Sequence, residues 1–80
     1  MSPTVFREGG FRFFFFSREE SRKHVHVNHA DGEAKFWLEP EIELAKNHGL
    51  SSTALKKALD LVKEHKDDIS KSWDQHFKQS

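Results

Sequence analysis

An Asp-Gly pair between two alternating segments constrains the fold of this chain more than any other feature. Residues 24–39 read His-Val-His-Val-Asn-His-Ala-Asp-Gly-Glu-Ala-Lys-Phe-Trp-Leu-Glu. Apolar and polar side chains alternate on both sides of the pair, as in two strands that each bury one face. Asp-Gly is favoured in type I′ turns because both central residues need a positive φ. The segment therefore predicts a β-hairpin, with strands over about 24–30 and 33–39, that turns at Asp31 and Gly32.

This turn predicts both the cross-strand register of the hairpin and its two faces, because directly opposed residues share a face. The predicted partners are Val27 with Phe36, Val25 with Leu38, His26 with Trp37, and His24 with Glu39. The apolar face, which we expect to form the core, collects Val25, Val27, Ala34, Phe36 and Leu38. The polar face, where any chemistry is expected, collects His24, His26, Asn28, Lys35, Trp37 and Glu39.

A second hairpin is predicted upstream, with strands over about 3–7 and 10–16. A two-residue turn at Gly9 and Gly10 places Phe6 opposite Phe13 and Arg7 opposite Arg12. The predicted core face carries Phe6, Phe11, Phe13 and Phe15, and the other face carries Val5, Arg7, Arg12, Phe14 and Phe16.

The second half of the chain predicts two helices. Pro40 suits the first turn of a short helix over about 40–48, and Gly49 suits the position just past its end. Ser51 or Ser52 is a suitable cap for a long helix over about 51–77. Its apolar stripe consists of Leu55, Leu59, Val62, Ile69, Trp73 and Phe77. The predicted fold is one α+β domain over 1–80. It has a four-stranded, mainly antiparallel sheet of two hairpins packed against a short helix and a long C-terminal helix.

Composition narrows the functional classes. The 80 residues include 13 basic and 13 acidic side chains, so no overall field draws the chain to nucleic acid. Cysteine is absent, which excludes disulfides and thiolate metal sites. The longest apolar run, residues 13–16, is too short to span a membrane, and no signal segment is recognisable. We therefore expect a cytoplasmic protein with no membrane partner. Because only 35% of the residues are hydrophobic, dimerisation or a partner protein is expected to add stability.

His24 and His26 are the candidate catalytic residues. They project from one side of a strand, roughly 7 Å apart by strand rise. Two imidazoles can act as acid and base on an RNA phosphodiester without a metal, with Arg12 or Lys35 holding the phosphate. The same pair can chelate zinc with Glu39 as a third ligand, but a structural site needs four. We expect neither a metal ion nor a cofactor.

A recognition surface is the alternative interpretation of the polar face. Its proposed members are Arg12, Phe14, Phe16, Lys35 and Trp37. Aromatic rings interleaved with basic groups on an open sheet are typical of single-stranded RNA binding. They are equally typical of protein interfaces, where Trp, Phe and Arg are enriched. Because the net charge is zero, the sequence favours a protein contact, to a cognate protein or a second copy, over RNA.

Five segments in order resemble the small bacterial family called domain of unknown function 4160. They are Thr-Val-Phe-Arg at 4–7, Gly-Gly-Phe-Arg-Phe-Phe-Phe-Phe-Ser at 9–17, His-Val-His-Val at 24–27, Gly-Glu-Ala-Lys-Phe-Trp-Leu at 32–38 and Glu-Leu-Ala-Lys-Asn-His-Gly at 43–49. The resemblance implies one half of a two-gene module in the style of toxin–antitoxin pairs and carries over no catalytic residue. The expected function is binding of a cognate protein partner, with RNA as a further partner. The alternatives are a metal-independent ribonuclease that uses His24 and His26, and a structural homodimer.

Overall fold

The computed structural model describes residues 4–15 and 22–77. These residues form an α+β fold in which an antiparallel sheet is followed by two helices. The strands are β1 (Thr4–Glu8), β2 (Phe11–Phe14), β3 (His24–His29), β4 (Gly32–Trp37) and β5 (Glu43–His48). The helices are α1 (Ser52–Glu64) and α2 (Lys66–Phe77). Each strand pairs with its neighbour along the chain, in the order β1-β2-β3-β4-β5. The predicted fold class is confirmed, but the predicted count of four strands is wrong.

One face of the sheet forms the core together with the helices. Alternate side chains of β2, β3 and β4 point to this face because successive residues of a strand alternate between faces. The buried core residues are Phe11, Phe13, Phe15, Val25, Val27, Ala34, Phe36, Leu38, Leu50, Ala58, Val62, Ile69 and Trp73. The apolar face of β2, β3 and β4 was therefore predicted correctly, and both helices contribute to covering it. Val5 was predicted on the opposite face, but it packs against the core, because an irregularity between Thr4 and Phe6 shifts the register of β1.

The first hairpin turns at Gly9 and Gly10, whose φ angles are 59° and 84°. Phe6 pairs with Phe13, and Arg7 pairs with Arg12, as the sequence predicts. The rings of Phe6 and Phe13 stack with centroids 4.3 Å apart. Positive φ angles at both turn residues explain why the turn carries glycine twice.

The second hairpin exists, but its predicted turn and register are wrong. His29 pairs with Gly32, so the turn residues are Ala30 and Asp31, and neither has a positive φ. The register is shifted by two residues, which leaves every side chain on its predicted face. Gly32 is required for a different reason, since a Cβ there would collide with the carbonyl oxygen of His48. The glycine allows β5 to approach β4 closely.

The predicted helix over 40–48 is wrong, because Glu43–His48 forms the edge strand β5. Lys35 pairs with Lys46 and Phe36 pairs with Leu44, so a bulge interrupts the register of β5. The residues of this segment are good helix formers, but pairing with β4 satisfies that strand's outward backbone groups. Ile42, just before β5, packs against the core. Tertiary pairing therefore overrides local propensity here.

The predicted single helix over 51–77 is also wrong, because it is divided at His65 into two helices of similar length. Ser51 caps α1 and accepts a hydrogen bond from the Ala54 backbone N–H at 3.1 Å. His65 ends α1, and its ring lies 4.3 Å from that of Phe6. Its Nε2 atom is 3.0 Å from Oε1 of Glu8. These contacts anchor the helix junction to the first hairpin. Neither helix in the described part of the chain has the length and apolar content of a membrane span.

Candidate binding surface

The face of the sheet opposite the core, here called the outer face, carries three rows of directly paired residues. The first row is Arg12, Asn28, Glu33 and His48. The second row is Phe14, His26, Lys35 and Lys46. The third row is His24, Trp37 and Glu43. The predicted polar face is thus present, but each strand of the second hairpin has different partners from those predicted.

His24 lies at the start of β3 and is fully buried, although the sequence placed it on a reactive face. Its ring packs between Trp37, with centroids 5.6 Å apart, and Trp73, at 5.1 Å. Its Nδ1 atom is 2.8 Å from the carbonyl oxygen of Arg22, which places a donated proton at that nitrogen. An imidazole enclosed in this way cannot contact a substrate in this conformation. Its role here is packing between the sheet and α2.

His26 is half-buried and lies beside His24, with ring centroids 5.0 Å apart. Its ring stacks on that of Phe14 at 5.5 Å, and its Nε2 atom is buried. The two histidines are therefore adjacent, as predicted, but they do not present two accessible imidazoles. Catalysis by this pair stays a prediction that this geometry does not favour.

Trp37 is half-buried and contacts two cations. The guanidinium carbon of Arg22 is 4.2 Å from a ring centroid of Trp37, and Nζ of Lys35 is 4.5 Å from one. Arg22 is held in place because its Nε donates to the carbonyl oxygen of Glu39 at 2.9 Å. It also forms an ion pair with Glu43 at 3.5 Å. Cation–π contacts of this kind fix the orientation of a partly exposed indole.

Arg12 and Phe14 are less available to a ligand than the sequence suggested. The Nε atom of Arg12 donates to Oγ1 of Thr4 at 2.7 Å, and its guanidinium lies 4.5 Å from the Phe14 ring centroid. Phe14 is only 4% exposed. Phe16, the remaining aromatic candidate, lies outside the described residues. The accessible part of the outer face therefore lies on β4 and β5 rather than on β2.

An open groove of about 300 Å³ crosses β3, β4 and β5 on this face. Its side chains come from the first two rows and include His26, Glu33, Lys35, Lys46 and His48. Lys46 and His48 are exposed, and Lys35 is half-buried. Basic and imidazole groups therefore line a solvent-accessible depression beside Trp37.

The amino-acid sequence of the chain matches one known protein family. The family model described as "Domain of unknown function (DUF4160)" matches residues 10–74, which run from the first turn into α2. The chain belongs to the DUF4160 family. The resemblance read from the five segments is confirmed, and the match includes most of the outer face. No curated protein and no solved structure matches this DUF4160 chain.

Two parts of the candidate binding surface of the DUF4160 protein were missed by sequence reasoning. Arg22 precedes β3 in a charged stretch without alternation, so no local pattern places it over Trp37. Lys46 and His48 were assigned to a helix, and their contribution to the outer face depends on the pairing of β5. Recognising the apolar Ile42 and Leu44 as alternating strand residues was the available signal.

The three zinc ligands considered from sequence are only partly brought together in the DUF4160 protein: His24 and His26 are adjacent, but Glu39 does not pair with His24. Trp37, rather than Glu39, pairs with His24. Among residues 4–15 and 22–77, a different group has donor atoms within 4.8 Å of one another: Glu8, Glu64 and His65. Both carboxylates are exposed, and Glu8 already contacts His65. The ion pair explains this proximity without a metal ion.

Proposed function

We propose that this DUF4160 protein is a binding protein whose outer face contacts a cognate protein partner in a toxin–antitoxin-like module. The observation that carries the proposal is Trp37, a partly exposed indole in contact with both Arg22 and Lys35. Tryptophan and arginine are the side chains most enriched among residues that dominate protein–protein binding energy. Because Arg22 is already oriented by Glu39 and Glu43, little conformational entropy is lost when a partner packs on it.

The distribution of burial supports a binding role for this face. The buried residues of α1 and α2 belong to the core, and of these Trp73 also encloses His24 at one end of the outer face. On the outer face His26, Lys35 and Trp37 keep part of their surface in solvent. A partner that covered Trp37 would bury an aromatic ring flanked by polar groups, which is the usual anatomy of an interface centre and its rim.

Co-purification with the protein encoded beside the DUF4160 gene tests this proposal. A tagged wild-type chain is expected to retain that protein, and Trp37→Ala is expected to release it. Lys71→Ala on α2 serves as the matched control, because Lys71 is exposed and belongs to none of the three rows of the outer face. Circular dichroism must show that Trp37→Ala is folded. Retention of the neighbouring protein by folded Trp37→Ala would refute an interface at this residue.

Contact with RNA is a second candidate function, favoured by the basic groups beside Trp37. Lys35 and Lys46 lie in one row with His26 and Phe14. Cationic groups near aromatic rings are the elements of single-strand binding surfaces. Fluorescence anisotropy with short labelled RNA, repeated at several salt concentrations, tests this function, because phosphate contacts weaken as salt rises.

The two remaining alternatives stay predictions with simple tests. For the ribonuclease, growth arrest on expression must be lost in a folded variant carrying His24→Ala and His26→Ala. The burial of His24 does not favour that outcome. For the structural homodimer, light scattering at high concentration must give twice the mass of the 80-residue chain.

A further inference from the structure

Two lysines lie directly opposite each other on the outer face. Lys35 of β4 pairs with Lys46 of β5, so both side chains leave the sheet on the same side. Like charges in direct cross-strand positions are destabilising. The pair therefore concentrates positive charge at one place in a chain whose net charge is zero.

The groups around this pair complete an anion-binding arrangement. His26 is the direct partner of Lys35 on β3, and His48 follows Lys46 on the same side of β5. All four line the groove of about 300 Å³. This volume is at the lower end of small-molecule sites, which span about 300–1,000 Å³. The groove is open, so a phosphate attached to a larger molecule can enter it.

The described residues of the outer face also include charged groups other than the two lysines. Glu33 is the carboxylate of the groove and pairs with His48. Glu43 is in an ion pair with Arg22, and Arg12 is bound to Thr4 at the far side of the sheet. Among the described residues that line the groove, the fixed charges are two lysines and one glutamate.

We infer that the groove formed by Lys35, Lys46, His26 and His48 binds a phosphate group. An ammonium carries three N–H donors and binds phosphate as a point charge. A phosphate offers several acceptor oxygens, so one group can bridge both ammoniums and an N–H of the exposed His48 imidazole. Bridging converts the repulsion between the lysines into two attractive contacts. A base or sugar attached to the phosphate has Trp37 within reach along β4, two residues from Lys35.

This inference rests on the proposed role of the outer face in binding, but it does not require a protein partner. The phosphate can be inorganic, part of a mononucleotide or part of an RNA backbone. All three sources share the same dianionic or monoanionic oxygens at the lysine pair. A carboxylate-bearing protein segment is a different ligand and would contradict the inference.

Titration of the isolated chain, followed by two-dimensional NMR at constant ionic strength, tests the site. Inorganic phosphate is expected to saturate shifts in the amides of Lys35, Lys46 and His48, whereas chloride at equal ionic strength is not. Lys46→Gln removes one charge-assisted contact to the phosphate. It is therefore expected to weaken phosphate binding about tenfold. Lys71→Gln is the matched control and is expected to leave the affinity unchanged.

Further arms identify the source of the phosphate. Tighter binding of adenosine monophosphate than of adenosine supports the groove and a small-molecule source. RNA that binds more tightly than adenosine monophosphate and adenosine, with the gain absent in Lys46→Gln, supports phosphate binding in the groove and an RNA backbone as the source. Shifts that spread equally to the helix lysines, an unchanged affinity in Lys46→Gln, or equal binding of a glutamate-rich peptide would each overturn the inference. Failure of co-purification would leave these titrations unaffected, so the two proposals fail independently.

Discussion

Replacing Lys46 is predicted to stabilise the DUF4160 protein, although the substitution touches no core residue. Lys35 and Lys46 are direct cross-strand partners. A directly opposed pair of opposite charges stabilises the fold by about 0.2–1 kcal/mol, and a pair of like charges destabilises it. Lys46→Gln removes the repulsion and is expected to add about 0.5 kcal/mol to the free energy of unfolding. Lys46→Glu also introduces attraction and is expected to add about 1 kcal/mol.

These changes are measurable as melting temperatures in phosphate-free buffer. For a domain of this size, 1 kcal/mol shifts Tm by about 4–8 °C. We therefore expect Tm to rise by about 2–4 °C from the wild type to Lys46→Gln, and by as much again to Lys46→Glu. The differences are expected to shrink in 1 M NaCl, where the Debye length is about 3 Å. Phosphate is expected to raise the Tm of the wild type and not that of Lys46→Glu.

Lys71→Gln provides the control for removing an arbitrary surface charge. Lys71 is exposed on α2, and Asp67 and Asp74 lie at helical spacing from it. Its replacement is expected to leave Tm unchanged or slightly lower. A Tm for Lys46→Glu equal to or below the wild-type value at low salt would refute the reasoning. So would a gain that persists in 1 M NaCl, because the effect would then not be electrostatic.

Three other substitutions test the fold. Gly32→Ala is expected to separate β5 from β4, because the new Cβ would collide with the His48 carbonyl, and hydrogen exchange of β5 amides should rise sharply. Ser51→Ala removes the cap of α1 and is expected to cost about 1 kcal/mol in chemical denaturation, whereas Ser52→Ala should cost little. Phe13→Ala empties a fully buried site and is expected to cost about 3–5 kcal/mol, enough to leave much of the chain unfolded at 25 °C.

The two faces of the second hairpin were predictable from sequence, because alternate residues of a strand point to opposite faces whatever its exact partners are. The turn lies at Ala30 and Asp31 rather than at the predicted residues, so every residue has a different cross-strand partner. Because the shift is by two residues, each side chain still lies on its predicted face. The exact register was not predictable, because the glycine that resembled a turn residue is required by β5. A local signal was thus produced by a tertiary contact.

The location of the accessible surface was not predictable, because it depends on contacts distant in sequence. The position of His24 in the strand places it on the outer face, yet Trp73 of α2 encloses it. Lys46 and His48 belong to a segment whose residues favour helix, and their position follows from pairing with β4. Arg22 reaches Trp37 through anchoring by Glu39 and Glu43. In each case the deciding partner lies in another element.

The sheet is assembled from strands that pair only with their neighbours along the chain. Closing each pairing therefore involves a short loop, which costs little entropy and favours rapid folding. Lys46 lies opposite Lys35 only when β5, the last strand of this meander, is paired with β4. The groove is therefore complete only with that strand in place, and fraying of β5 would dismantle it while the aromatic core stays intact.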